Sequence, residues 1–180
     1  MKRPVAEPYW VLVTGSRFYA DYACVLATLE EIAAEHPGRE MVLLHGMCDP
    51  RQPQTRFPVP WRAAERLSPE YQTRILGGDW LADRAALRLG WRIERRPADW
   101  ERHGRKKAGF IRNDEMIAEM LANGALDGNG ECAAFTGPCE TPGCRITRPH
   151  DSHGTAHCLN SARKALIPVR PLPVAMPGPR

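Results

Sequence analysis

Residues 9–17 read YWVLVTGSR, an apolar and β-branched run that ends abruptly at a glycine. The side chains from Tyr9 to Thr14 are typical of a strand that is buried on both faces. Gly15 permits the tight turn that follows, Ser16 offers a hydroxyl, and Arg17 offers a planar guanidinium that suits phosphate or carboxylate. Turn geometry alone also requires glycine at such a junction, so the motif by itself does not establish a binding site.

The rest of the chain alternates strand-like and helix-like segments around this first strand. A helical period runs from Asp21 to His36, and Met41 to Leu44 is a second buried apolar run, broken by His45-Gly46. Further predicted strands lie at residues 91–95, 132–135 and 167–169, and further helices at 77–89, 111–121 and 155–165. This alternation predicts an α/β fold, with a parallel sheet of about five strands and helices on both faces.

Two segments break the alternation. Residues 47–76 lack a clear period and carry clustered prolines, and an insertion of this length more often shapes a ligand pocket or an interface than a core. The tail at residues 170–180 is proline-rich, which predicts irregular chain. Because 180 residues suffice for one buried core, we expect residues 1–180 to form a single domain with these embellishments.

The composition argues against several classes of protein. Hydrophobic residues make up 43% of the chain and charged residues 26%, the ordinary range for a soluble domain. No apolar run approaches the roughly 20 residues needed to cross a bilayer, and no signal peptide is visible, so we expect a cytoplasmic protein without a membrane partner. The net charge of +4 is spread along the chain, so a nucleic acid is not expected as a partner.

A segment near the end of the chain concentrates side chains that bind metals. Four of the six cysteines lie in the last third of the chain beside several histidines, and in a reducing compartment this clustering favours a metal over disulfides. Structural zinc takes four Cys or His ligands in a closed tetrahedron, so we expect a small zinc-binding loop at residues 138–158. The predicted ligands are Cys139, Cys144, His150 and Cys158, with His153 or His157 as substitutes. Free cysteines in an ordinary loop are the alternative.

Polar motifs follow several of the predicted strands. In an open parallel sheet, ligands bind beyond the carboxyl ends of the strands, so these motifs should meet at one edge. Gly154-Thr155 adds the start of a helix, where free backbone N–H groups can bind an anion. Asp79 also begins a helix, and it either accepts a hydrogen bond from a ribose hydroxyl or caps that helix.

Taken together, these motifs resemble those of a known superfamily. TGSR at 14–17, HG at 45–46, GGDWLADRAA at 77–86, PADWERHGRKKAGFIRNDEM at 97–116 and HGT at 153–155 resemble the SLOG superfamily, and more narrowly its YspA-related branch, DUF2493, common in bacteria and phages. The likeness extends from Val11 to Val169. It implies a Rossmann-like, doubly wound sheet that binds a nucleotide or a nucleotide-derived ligand above the strands.

The resemblance also implies a set of site residues. For the ligand it points to Gly15, Ser16, Arg17, His45, Gly46, Gly78, Asp79, Arg112, Asn113, Gly154 and Thr155, and it adds Asp99, Trp100, His103 and Gly104 nearby. Of these, Arg17 and Arg112 carry the charge that a phosphate requires. Rossmann-like relatives often pair through helices, so a homodimer is an expectation.

Two functions are compatible with these residues. The first is binding, for sensing or sequestration, of a nucleotide or a nucleotide-derived ligand such as an ADP-ribose-like signal. The alternative is a hydrolase of a nucleotide N-glycosidic or phosphate bond, with Arg112, His103 and Asp99 as the catalytic candidates. The phosphoribohydrolases of the superfamily carry a glutamate three residues after their Gly-Thr pair, where this chain has Cys158. Loss of the carboxylate that would stabilise an oxocarbenium-like charge favours binding.

Overall fold

The computed structural model describes residues 6–141, 143–170 and 172. Its five strands are β1 (Tyr9–Gly15), β2 (Met41–His45), β3 (Arg92–Arg95), β4 (Gly130–Phe135) and β5 (Val169–Arg170). Its α-helices are α1 (Tyr22–Glu35), α2 (Trp61–Ala64), α3 (Pro69–Gln72), α4 (Gly78–Leu89), α5 (Trp100–Ala122) and α6 (His153–Lys164), and a 3-10 turn spans Ala125–Asp127. The predicted proline-rich tail falls almost wholly outside these described residues.

The strands form one sheet in the order β3-β2-β1-β4-β5, and every neighbouring pair is parallel. The predicted α/β fold, a Rossmann-like, doubly wound parallel sheet of about five strands, is therefore confirmed. The chain leaves β1 towards β2 and β3, and later returns to place β4 on the other side of β1. Strand order reverses at that point, which opens a crevice above the carboxyl ends of β1 and β4.

The side-chain alternation of β1 explains the two layers of helices. Val11 and Val13 pack with α1 and α4 in one buried cluster, whereas Trp10 and Leu12 pack with α5 and α6 in another. Successive side chains of a strand point to opposite faces, so a run that is apolar at every position must be covered on both. Burial of all these side chains holds the carboxyl edge of the sheet in place under the crevice.

The helix α5 begins earlier than the sequence predicts. Its first turn starts at Trp100, where the carboxylate of Asp99 accepts the amide hydrogen of Arg102 at 2.9 Å and caps the helix. Gly104 then interrupts the helical geometry with φ 71° and ψ 165°, values that glycine adopts without a steric penalty. This kink redirects α5 so that its second part runs along the crevice.

The insertion at residues 47–76 folds against the α4 side of the sheet. Trp61 of α2 is buried against Trp80 of α4, with their rings 4.8 Å apart and nearly perpendicular. Arg51, near the start of the insertion, forms one isolated bridge to Pro58 and another to Leu76 at the end of the insertion. Over the residues that the structure describes, no helix is long and apolar enough to cross a membrane.

Candidate ligand cavity and metal cluster

A cavity of about 590 Å³ lies above the carboxyl ends of β1 and β4, where the strand order reverses. Nine of the predicted ligand residues line it: Gly15, Ser16, Arg17, Gly46, Asp79, Arg112, Asn113, Gly154 and Thr155. The structure therefore brings together residues that lie up to 140 positions apart in the sequence. Pockets of several hundred Å³ with a few convergent polar groups are typical of small-molecule sites.

The floor of the cavity is built by a close approach of two glycines. A Cβ atom added at Gly15 would lie 2.6 Å from the Cα of Gly78, so only glycine fits on either side. The amide of Gly78 donates to the carbonyl oxygen of Ser16 at 2.9 Å, which fixes the start of α4 on the turn after β1. Gly78 thus packs the helix under the turn, while Gly15 lines the cavity itself.

Arg112 lies at the back of the cavity and is almost fully buried. Its guanidinium donates to the carbonyl oxygen of Gly46, to Oδ1 of Asn113 at 2.9 Å and to Sγ of Cys48 at 3.6 Å. A Cβ atom at Gly46 would overlap the guanidinium, so a larger residue there would displace the side chain of Arg112. Burial acts to lower the pKa of Arg112, but the hydrogen bond with Cys48 and the negative charge of Asp79 are among the effects that outweigh it, and the pKa is raised. Arg112 therefore stays charged although it is almost fully buried.

Asp79 brings a buried carboxylate to the same wall. Its Oδ2 accepts the amide hydrogen of Cys48 at 3.2 Å, which ties the start of α4 to the start of the insertion. Burial, reinforced by the negative charge of Asp79, raises the pKa of the Cys48 thiol, so this cysteine is held neutral. Asp79 can still accept a hydrogen bond from a ligand, because a carboxylate has further lone pairs.

The first turn of α6 forms the opposite wall. Asn113 donates from Nδ2 to the carbonyl oxygen of Gly154 at 3.1 Å, and Ser152 donates from Oγ to Oγ1 of Thr155 at 2.7 Å. The helix therefore starts beside the turn after β1, with its first backbone N–H groups near the cavity. An α-helix leaves these groups without an intrahelical acceptor, and its dipole favours an anion beside them.

His45 does not line the cavity, contrary to the sequence-based expectation. In β2 it shares a face with Met41 and Leu43, and this face packs towards α4 rather than towards α5. Its Nε2 lies 3.0 Å from Oδ1 of Asp83, and its Nδ1 accepts the amide hydrogen of Met47 at 3.1 Å. Full burial and these two bonds make His45 part of a structural network under the insertion.

Two of the three catalytic candidates, Asp99 and His103, also stay outside the described lining of the cavity, whereas Arg112 lies within it. Asp99 is exposed and its carboxylate caps α5, and His103 lies in the short first segment of that helix. Their neighbour Trp100 does line the cavity, together with Phe110. These two aromatic side chains are 45% and 40% exposed, so part of each ring is accessible from the cavity.

Four predicted or substitute metal ligands come together beside the cavity. Nδ1 or Nε2 of His150 and His153 and Sγ of Cys139 and Cys144 all lie within 4.8 Å of one another. Sγ of Cys144 is 3.5 Å from Nε2 of His150 and 3.3 Å from Nε2 of His153. A tetrahedral zinc site, with Zn–S of about 2.3 Å and Zn–N of about 2.0 Å, requires S···N separations of about 3.5 Å. This cluster could hold a metal.

Hydrogen bonds from neighbouring groups orient His150 and lower the pKa of Cys139. Nδ1 of His150 lies 3.0 Å from the carbonyl oxygen of Arg148, which can only accept, so Nδ1 is the donor and Nε2 is the nitrogen that faces Cys144. Hydrogen bonds from the side chain and backbone of Thr141 are the main reason that the pKa of Cys139 falls to about 6. A thiolate near neutral pH is the form that binds a metal.

Cys158 is not part of this cluster, contrary to the predicted ligand set. It is fully buried in the sheet-facing side of α6, with Cys132 and Ala162 in the same apolar cluster. Burial raises the pKa of the Cys158 thiol to about 12, so it behaves as a small apolar side chain. His153 takes the fourth place instead. His157 points away, with its ring 4.6 Å from that of Phe110.

Some lining residues could not be found from the sequence. Arg51 and Arg56 come from the insertion, and Glu140 and Thr141 come from the loop that carries the Cys/His cluster. Arg56 forms an ion pair with Glu140, and its guanidinium carbon lies 4.9 Å from the ring centroid of Phe18. The arginines had no sequence signal beyond their presence in an insertion that was expected to shape a pocket.

Comparisons with known proteins agree with this architecture. A model of the YAcAr family, described as the YspA, cpYpsA-related SLOG family, matches residues 10–50, which carry β1, α1 and β2. The chain is also 32% identical over 164 residues to a protein of Mycobacterium phage D29 named Gene 61 protein, and the match covers 88% of this chain and 92% of that protein. No solved structure matches the chain. The strand–turn motif, the switch-point cavity and these similarities lead to one assignment: the chain belongs to the YspA, cpYpsA-related SLOG family.

Proposed function

We propose that this protein binds a nucleotide or a nucleotide-derived ligand, such as an ADP-ribose-like signal, for sensing or sequestration. Membership of the SLOG family suggests nucleotide-related binding or modification. The observation that carries the proposal is the cavity at the switch point, because it places cationic side chains, a helix start and aromatic rings around one space of about 590 Å³.

The phosphate end of the ligand lies between the turn after β1 and the start of α6. Ser16 and Thr155 offer hydroxyl groups there, and Arg17 offers a charged fork from an exposed position. The dipole of α6 adds to the attraction of a negative charge, and no acidic residue in the first turn of that helix opposes it. Arg112 contributes its positive charge from behind, since its donors already bind Gly46 and Asn113.

The nucleoside end of the ligand lies towards the aromatic rim. Trp100 and Phe110 present exposed rings on which a base can stack. Asp79 can accept a hydrogen bond from a ribose hydroxyl at the opposite wall. The positions of Asp99 and His103 outside this lining favour binding over the hydrolase alternative.

A panel of AMP, ADP, ADP-ribose and NAD tests the proposal. Each compound is added to the protein while thermal stability is followed and the mixture is analysed for released base, ribose phosphate or phosphate. We expect one or more compounds to raise the Tm without conversion. Thr155→Val should remove that shift, whereas Thr28→Val, a buried threonine on α1, should keep it. Conversion of a compound, or a panel without any shift, would count against the proposal.

We propose further that the metal of the Cys/His cluster is a structural zinc. The cluster offers two thiolates and two imidazoles from Cys139, Cys144, His150 and His153, the set that zinc prefers in closed tetrahedral sites. Elemental analysis of protein purified without added metal should find about one equivalent of zinc, as a closed site requires. Cys144→Ser should lose it, and Cys24→Ser, a thiol on α1 outside the cluster, should retain it.

A further inference from the structure

The metal cluster and the ligand cavity share one segment of chain. Residues 137–152 connect β4 to α6, and the two ends of this loop are joined to each other. The amide of Ser152 donates to the carbonyl oxygen of Gly137 at 3.0 Å, and the amide of Cys139 donates to that of His150 at 2.8 Å. Pro138 and Asp151 form an antiparallel bridge between these bonds. The two ends of the loop therefore lie side by side, one after β4 and the other before α6.

His153 belongs to both sites at once. Its Nε2 lies 3.3 Å from Sγ of Cys144 in the metal cluster, and its backbone begins α6 at the edge of the cavity. A Cβ atom at Gly137 would lie 2.9 Å from Cβ of Ser16, so the loop also touches the turn after β1. A shift of this loop would therefore move both walls of the cavity at its phosphate end, the start of α6 and the turn after β1.

The start of α6 has no side-chain cap among the residues that the structure describes, so its position depends on its neighbours. Within the described residues, the side chain of Ser152 makes no capping bond to a backbone amide, because its hydroxyl donates to Thr155 instead. The first turn is otherwise held by the bond from Asn113 to the carbonyl oxygen of Gly154, by the burial of Thr155 and by the loop itself. A loop of this length that lacks its own apolar core needs another source of order, and a metal can supply it.

We propose that metal occupancy of the Cys139, Cys144, His150 and His153 cluster controls ligand affinity in the cavity, by fixing the first turn of α6 through His153. This inference rests on the proposed function and adds its regulation. The coupling is reciprocal, so bound ligand raises the affinity for zinc by the same factor. Without zinc, the loop and the helix start sample other positions, and a ligand has to order them when it binds.

Hydrogen exchange and calorimetry test the coupling in the full chain, with zinc and ADP-ribose as the probes. The amides of Cys139, Ser152 and Ala156 report on order, because each donates a backbone hydrogen bond in the loop or the first turn of α6. Zinc should slow their exchange and should raise the affinity for ADP-ribose about ten-fold, a typical coupling factor. Cys144→Ser should behave as the metal-free protein in both measurements, although Cys144 does not line the cavity. Cys24→Ser serves as the matched control and should behave as the wild type.

Each result separates this inference from the proposed function. Exchange rates that zinc leaves unchanged would overturn the inference even if ADP-ribose binds well. Slower exchange with the same ADP-ribose affinity with and without zinc would also overturn it, because the ordering of the loop would then have no effect on ligand binding. A protein that binds ADP-ribose in neither state, and that fails with the other panel compounds, would overturn the proposed function and the coupling together. The exchange data would then show whether zinc orders the loop.

Discussion

His45 is the last residue of β2 and Gly46 follows it directly, but the two residues contact different groups of charged side chains. His45 contacts Asp83, whose carboxylate also accepts from Nε of Arg95 at 2.6 Å and from Arg84. Every charge in this group has a partner of opposite sign, and the cations also lie over tryptophan rings, Arg84 at 4.4 Å from the centroid of Trp80. We call these residues, His45, Asp83, Arg84 and Arg95, the closed group.

The second group faces the cavity and is built differently. The guanidinium of Arg112 binds the carbonyl oxygen of Gly46 and the amide of Asn113, both of which are neutral. Asp79 accepts only a backbone amide hydrogen among its described contacts. Arg112 and Asp79 carry opposite charges near each other but form no direct ion pair among the described residues, and both line an accessible space, so we call them the open group. The contrast shows how one strand end can serve stability on one face of a sheet and recognition on the other.

The largest expected effect is the loss of Asp83. Asp83→Ala leaves His45, Arg84 and Arg95 without their shared carboxylate in a buried site, and breaking a buried ion pair typically costs about 3–5 kcal/mol. Urea unfolding should show a fall of that size in the free energy of unfolding. Asp127→Ala removes an exposed carboxylate of the 3-10 turn and should change it by less than about 0.5 kcal/mol. Equal effects of the two substitutions would remove the distinction between the groups.

The closed group also predicts a pH dependence. Burial acts to raise the pKa of Asp83, but the hydrogen bonds from His45 and Arg95 outweigh it and hold the pKa well below its ordinary value. Because the folded pKa is depressed, its contribution to stability is fully present above the unfolded pKa of about 3.9 and is lost as the pH falls below it. Urea midpoints between pH 6 and pH 2.5 should fall less steeply in Asp83→Ala than in the wild type. Parallel curves would contradict this account.

The sequence predicts the layers of this protein better than the directions of its polar side chains. Runs such as residues 9–14 are apolar at every position, so their burial on both faces follows from local pattern. Whether His45 faces the cavity depends on which helices cover each face of the sheet, and the order of the strands determines which helices these are. The face of Cys158 did leave a signal, because Thr155, Cys158 and Leu159 recur at the spacing of a buried helix face.

The insertion was less predictable for a different reason. Arg51 and Arg56 lie in irregular chain, where no period links a residue to a face. Their positions depend on long-range contacts, such as the bridge from Arg51 to Leu76 and the ion pair from Arg56 to Glu140. Composition indicates that such a segment shapes a pocket, but it does not determine which cations reach it.

The next prediction concerns the open group and has a smaller effect on stability. Arg112→Lys keeps the positive charge but loses the planar fork that reaches Gly46 and Asn113 together. We expect a loss of about 1–3 kcal/mol in the free energy of unfolding, because one of the two buried acceptors, the carbonyl oxygen of Gly46 or Oδ1 of Asn113, is left without a donor. The affinity for the ligand should also fall, since the wall formed by Gly46 moves. Calorimetry measures the affinity and urea unfolding measures the stability of the same preparation. An unchanged affinity would show that Arg112 supports the fold but does not contribute to ligand binding.

The smallest effect on stability is expected at Arg17, where binding and folding separate. Its side chain is exposed at the rim of the cavity, so Arg17→Ala should change the free energy of unfolding by less than about 0.5 kcal/mol. A charge-assisted hydrogen bond contributes about 1.5–3 kcal/mol, so the affinity for a phosphate-bearing ligand should fall by about ten-fold or more. Arg88→Ala, an equally exposed arginine on α4, should change neither quantity. If Arg17→Ala and Arg88→Ala bind the ligand equally well, the phosphate lies deeper, on the helix start and Thr155. A substitution in the closed group should instead lower stability, because Arg84 and Arg95 share the buried carboxylate of Asp83 and none of the three lines the cavity.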